Sequence, residues 1–134
     1  MSLLEGIAKI ASKYKNELVG LTRAKIITHL NLGTYIVKGS SFLLWSELST
    51  KSYLGVACEK DAIHLEYIAS GVKGKGEATL LLDTPKGNQK PIVLLVRQDN
   101  TRAIAFYKKH GFKEARVVEY KNFNSVVMLW SAET

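Results

Sequence analysis

The sequence predicts an α+β protein: a mixed, mostly antiparallel sheet with a central β-α-β-α unit and helices on both faces. Three observations predict it. Apolar residues recur at helical spacing near the N-terminus. From Thr34 to Ser70 short apolar or aromatic runs alternate with turn signals, the pattern of strands. From Ile63 to Phe112 the chain reads as strand, glycine turn, helix, strand, helix. A chain of 134 residues fits one domain with a proper core, so a single domain over 1–134 is expected.

Leu3, Leu4, Ile7, Ala8, Ile10, Ala11 and Tyr14 form one helical stripe, with Glu5, Lys9, Lys13 and Lys15 mostly opposite. Thr22 to Leu30 reads as a second helix. Thr22 is its N-cap, Ala24, Ile26, Ile27 and Leu30 its buried stripe, and Gly33 its stop. Four strands are expected next: Tyr35–Val37, Phe42–Trp45, Tyr53–Ala57 and Ile63–Ile68. Turn signals at Gly39-Ser40-Ser41, Ser49–Ser52 and Glu59-Lys60-Asp61 separate them, and such short connections imply an antiparallel meander. The helix from about Gly76 to Asp83 is expected to end before Pro85. Ile92–Val96 follows a helix, so it should lie parallel to Ile63–Ile68. After a helix opened by Asn100, Ala115–Tyr120 and Ser125–Trp130 alternate like a hairpin.

Composition narrows the function. Apolar content of 46% and charged content of 23% are ordinary for a soluble globular protein. No apolar run approaches a membrane span of about 20 residues. Cys58 stands alone, which excludes an intramolecular disulfide and, with no secretory pattern at the N-terminus, points to the cytoplasm. The net charge of +7 favours an anionic partner: nucleic acid, a phosphate-rich cofactor, or solubility alone. The basic residues are spread without a dense block, so nucleic acid is admitted but not favoured.

The chemistry concentrates where the apolar run Leu65–Ala69 passes into Gly71-Val72-Lys73-Gly74-Lys75-Gly76-Glu77-Ala78. Glycine brings bare backbone close to whatever approaches. A helix starting just after such a turn aims unpaired N–H groups and its positive dipole end outward, a seat for phosphate. Elsewhere the bland reading prevails. Cys58 reads as a small packed residue, the three histidines are scattered, and no group shows metal-ligand spacing. Arg102, Lys108 and Lys109 read as a solvated helix face.

Two stretches resemble the GNAT superfamily of acyl-CoA-dependent N-acyltransferases. The family's Gln/Arg-x-x-Gly-x-Gly/Ala motif stands here as Lys73-Gly74-Lys75-Gly76-Glu77-Ala78, with Lys73 in the place of Gln or Arg. Its second motif, an Asn, then Ala, an aromatic pair and Gly-Phe, stands as Asn100 to Phe112, with Ala103, Phe106, Tyr107, Gly111 and Phe112 in their places. The resemblance implies acetyl-CoA as cosubstrate and direct transfer of its acetyl group to a primary amine of a small molecule or a protein. Backbone N–H groups of Lys75, Gly76, Glu77, Ala78 and Thr79, with Lys73 and Gly74, would hold the pyrophosphate. Backbone of Ile68 and Ala69 would pair with the pantetheine arm and polarise the thioester, and Asn100 would touch the arm.

Under the same resemblance Tyr107 is the candidate general acid, since a phenol near 10 can protonate a thiolate near 8.5. It shares a helical face with Ala103, Phe106 and His110, so a core role competes. Glu66, inside an apolar strand, is the candidate base for the amine; pairing with a basic residue competes with that role. His64 is a weaker base candidate. A catalytically inactive acyl-CoA-binding or interaction module is the rival reading, a nucleic-acid-directed protein the second. The oligomeric state is open, a homodimer included.

Overall fold

The computed structural model describes residues 2–13, 18, 20–49, 52–58, 61–70 and 76–132. Readings made on Tyr14, Lys15, Thr50, Lys51, Glu59, Lys60, Gly71, Val72, Lys73, Gly74 and Lys75 lie outside the described residues. Two compact units divide the chain, one of Met1–Ser46 with Leu65–Thr84, the other of Glu47–His64 with Pro85–Thr134.

In the first unit, α1 (Leu3–Ser12) starts where the Ser2 hydroxyl accepts the Glu5 N–H at 3.2 Å. Helix α2 (Arg23–Leu32) is closed at both ends by the residues the sequence nominated. The Thr22 hydroxyl accepts the Lys25 N–H, and Gly33 turns left-handed at φ +73° while its N–H bonds His29 O. Strands β1 (Tyr35–Lys38) and β2 (Ser41–Glu47) form a hairpin from Tyr35↔Leu44 to Lys38↔Ser41. Phe42 and Leu44, two apart on β2, share one face. They are fully buried with Ile7, Leu18, Ile26 and Ala69, so α1 and α2 cover that face.

The second unit begins with a correction. The expected strand Tyr53–Ala57 is two short strands, β3 (Ser52–Tyr53) and β4 (Val56–Ala57), folded back on each other as a separate two-stranded sheet. Leu54 and Gly55 both take positive φ, +48° and +86°, the geometry of a two-residue hairpin turn that splits the apolar run. The expected meander is thereby interrupted: β2 lies beside β5 (Ile63–Ser70) in the main sheet.

As expected, β5 pairs in parallel with β6 (Ile92–Arg97), at Ile63↔Ile92 and His64↔Val93. Between them in the chain comes α3 (Glu77–Gly87), and after β6 come α4 (Thr101–Lys109), β7 (Lys113–Glu119) and β8 (Asn124–Trp130). The main sheet runs β1-β2-β5-β6-β8-β7, with β8 antiparallel to both its neighbours. Ile92, Val93 and Leu94 are buried in succession, as are Val126, Val127 and Met128; both faces of these two strands are covered. This is a mixed α+β fold with a mostly antiparallel sheet and four helices among the described residues.

Helix α3 is the second correction. It passes through Pro85 and ends at Gly87. Proline lacks the N–H that would bond the carbonyl four residues back, but its fixed φ is helical, and in a last turn the loss is confined to one bond. Asn88 and Gln89 then close the turn by bonding Pro85 O and Lys86 O at 3.3 and 3.0 Å. No helix among the described residues is long and apolar enough to cross a membrane.

Truncating the most central ring of the first unit, Phe42→Ala, should lower the unfolding free energy by about 3–5 kcal/mol. Thr22→Ala should cost about 1 kcal/mol through the lost cap. Urea unfolding curves of the two variants check both.

Candidate active site

Gly76 stands at the entrance of α3 with φ +76°, and among the described residues beyond its chain neighbours no atom lies within 4 Å of where its Cβ would be. The first bond of the helix runs from Leu80 N–H to Gly76 O at 3.2 Å. The amides of Glu77, Ala78 and Thr79 therefore belong to the first turn of the helix. Bare backbone, open space and a helix N-terminus coincide here, the arrangement that accepts a phosphate group. Of the cofactor residues named from the sequence, Gly76, Glu77, Ala78 and Thr79 are brought together; Lys73, Gly74 and Lys75 lie outside the described residues.

The Glu77 side chain reaches the β1–β2 turn. Its Oε1 accepts the Ser41 hydroxyl at 2.6 Å and the Ser40 hydroxyl at 3.2 Å. The Ser41 hydroxyl, then burial in the opposite sense, then Ser40 set a carboxyl below its usual range. Its other oxygen rests against Gly39, where any Cβ would overlap it. The sequence reading treated Gly39-Ser40-Ser41 only as a turn; its role as a carboxylate cradle depends on residues 36 positions away.

On β5, Ile68 is half-buried, and Ala69 is buried in the core cluster. Glu66 has found a partner that the sequence did not nominate. Its Oε2 lies 2.9 Å from His29 Nε2, and His29 Nδ1 lies 2.7 Å from the Thr34 hydroxyl. His29 is 9% exposed at its side chain and Glu66 27%, so the carboxylate keeps contact with solvent while the imidazole is enclosed. The neighbouring Tyr67 hydroxyl meets Lys25 Nζ at 3.5 Å, so two successive residues of β5 are tied to α2. His64 is engaged elsewhere: its Nε2 lies 2.9 Å from the Tyr53 hydroxyl, their rings 4.6 Å apart, which docks the β3–β4 hairpin.

In the second unit, Asn100 caps α4 by accepting the Ala103 N–H at 3.2 Å. Tyr107, on the same helix, is 6% exposed and edge-on to Phe106 and Phe112, each 5.4 Å away. Burial pushes its phenol well above the ordinary value near 10. The sequence reading credited Tyr107 with an ordinary phenol's acidity; enclosed, it is a weaker acid that stays protonated as a hydrogen-bond donor. Cys58 is half-buried, and burial pushes its thiol up as well, away from the thiolate a nucleophile needs.

Residues 10–129 match the family described as Acetyltransferase (GNAT) domain. The chain belongs to the GNAT acetyltransferase family. No curated protein matches the sequence. Among solved structures, Ard1 from Thermoplasma volcanium superposes with a TM-score of 0.72 at 21% identity, covering 96% of this chain and 90% of that one. Arabidopsis thaliana NAA60, solved in complex with acetyl-CoA, gives 0.76 at 15% identity, covering 96% and 92%. The ribosomal-protein-S18-alanine N-acetyltransferase from Escherichia coli gives 0.64 at 16%, covering 100% and 92%. At these identities the likeness is one of fold.

The enclosure of Tyr107 sets an alkaline signature. Its ionised form is confined to the unfolded chain over a range above pH ~10, so stability should begin to fall there as the pH rises. Tyr107 should resist ionisation until the protein unfolds. An ultraviolet phenolate titration checks this, and Tyr107→Phe should remove that late step.

Proposed function

We propose that this protein is an N-acetyltransferase, one domain over residues 1–134 acting in the cytoplasm, that passes the acetyl group of acetyl-CoA directly to a primary amine. The observation that carries the reading is the GNAT match over residues 10–129, which includes the glycine turn entering α3 and the whole Asn100–Phe112 motif. The open Cβ position of Gly76 at a helix N-terminus fits a diphosphate, and the acetyl-CoA complex of the Arabidopsis neighbour supports that cosubstrate. The Escherichia coli neighbour is named for an alanine of a ribosomal protein, which makes a protein amine the acceptor class to test first. A small-molecule amine is the alternative.

Bound acetyl-CoA supplies an acyl group activated as a thioester. In this reading the amides of Glu77, Ala78 and Thr79, with Gly76 and the preceding Lys73, Gly74 and Lys75, grip the diphosphate. Backbone of Ile68 and Ala69 on β5 pairs with the extended arm as an added strand would. One of those N–H groups polarises the carbonyl. Asn100, whose Oδ1 caps α4, offers its side-chain N–H groups to the arm. The Tyr107 hydroxyl donates toward the departing sulfur; its raised pKa means that it acts chiefly by hydrogen bonding as negative charge develops there. Glu66 accepts the proton of the amine, and His29 behind it disperses the charge. Direct transfer is favoured over a covalent route because the cysteine thiol is held up by burial.

At roughly 100 times Kd, acetyl-CoA should raise the stability by about 2.7 kcal/mol, read as a thermal shift. Gly76→Val should abolish that shift, since the branched side chain both strains a positive φ and fills the open space. With an amine panel that supports turnover, Tyr107→Phe should lower kcat on the order of 10²-fold while leaving the Kd for acetyl-CoA in place. An unchanged kcat would remove Tyr107 from the chemistry. Binding without turnover on any peptide or small amine would instead mark a binding module.

A further inference from the structure

An acid in the first turn of a helix is drawn to that turn's own N–H groups and the positive end of the dipole. Glu77 is the acid in the first turn of α3, beside the very amides assigned above to a diphosphate. Left to itself, its carboxylate would be the nearest anion to that seat and would compete for it. In this structure the side chain turns the other way. Two serine hydroxyls of the β1–β2 turn, Ser40 and Ser41, donate to its Oε1, and glycine at position 39 lets its second oxygen come closer than any side-chain-bearing residue would permit. Ser41 is completely buried.

We propose that Ser40 and Ser41 are positioning residues for cosubstrate binding: they hold the Glu77 carboxylate off the first-turn amides of α3 and so keep that seat open to a diphosphate. The inference rests on the acetyl-CoA reading and deepens it. A tie that only fastened the turn to the helix would work with a neutral side chain at position 77. A device that manages charge works differently, because removing the serines does harm only while position 77 carries a negative charge. Glycine at 39 belongs to the same device, since the cradle closes around both carboxylate oxygens.

The test is calorimetric binding of CoA itself, without turnover, to four proteins: wild type, Ser40→Ala/Ser41→Ala, Glu77→Gln, and the three changes combined. The serine variant should bind CoA roughly three- to tenfold more weakly at low salt. That loss should shrink near 1 M salt, where charge repulsion is screened within about 3 Å. Glu77→Gln should bind at least as tightly as wild type, and combining it with the serine changes should restore most of the lost affinity. A loss that persists with Gln at 77, or that ignores salt, overturns the inference in favour of a plain structural tie; so does a serine variant that binds as wild type does. If wild type binds no CoA, the parent reading fails instead, which keeps the two failures distinct. Should the double serine variant not fold, the half-buried Ser40→Ala alone carries the same comparison, with an expected loss of about twofold.

Discussion

The interaction on which the rest depends is the entry of the chain into α3. Gly76 takes φ +76°, and the first turn of α3 follows it directly. Both conditions are needed. A side chain at position 76 would be strained and would fill the open space; a helix starting earlier would consume the amides. The sequence meets them with a glycine-rich approach, and with a first-turn acid whose negative charge is accommodated by the β1–β2 turn. In the proposed reading, this placement of the acid leaves the helix N-terminus to the cosubstrate's diphosphate.

The two proposed proton-handling groups have opposite surroundings. Tyr107 is enclosed by aromatic neighbours, which keeps its proton on. Glu66 is half-open and backed by an enclosed imidazole that is itself fixed by a threonine hydroxyl. In the proposed transfer from a thiol to an amine, a proton must leave the amine and another must reach the sulfur. His29 is what gives Glu66 a partner: among the described residues, the carboxylate pairs with an imidazole and not with a lysine or arginine.

Much of this was legible in the sequence where the signal is local. Thr22, Gly33 and Asn100 announce helix ends through chemistry that acts within four residues. Their caps form as read. The parallel pairing of Ile63 with Ile92 followed from a helix between two apolar runs, and the GNAT family from two motifs in order. What was not legible depends on the third dimension. Leu54 gives no hint that it will take φ +48° and fold Tyr53–Ala57 into a hairpin. Pro85 reads as a stop, yet it sits where the helix has one bond left to lose. Glu66 with His29, and Glu77 with Ser41, are pairings between distant segments that no periodicity encodes. The raised pKa of Tyr107 comes from enclosure by its neighbours, which its own position in a motif does not report.

The most direct measurement of the central claim is residue-resolved: amide NMR of the protein titrated with CoA and, separately, with pantetheine, which has the arm but lacks the diphosphate. The account predicts that CoA shifts the amide signals of Gly76, Glu77, Ala78 and Thr79 strongly and that pantetheine leaves them nearly in place. Binding of CoA that leaves those four amides unmoved would contradict it.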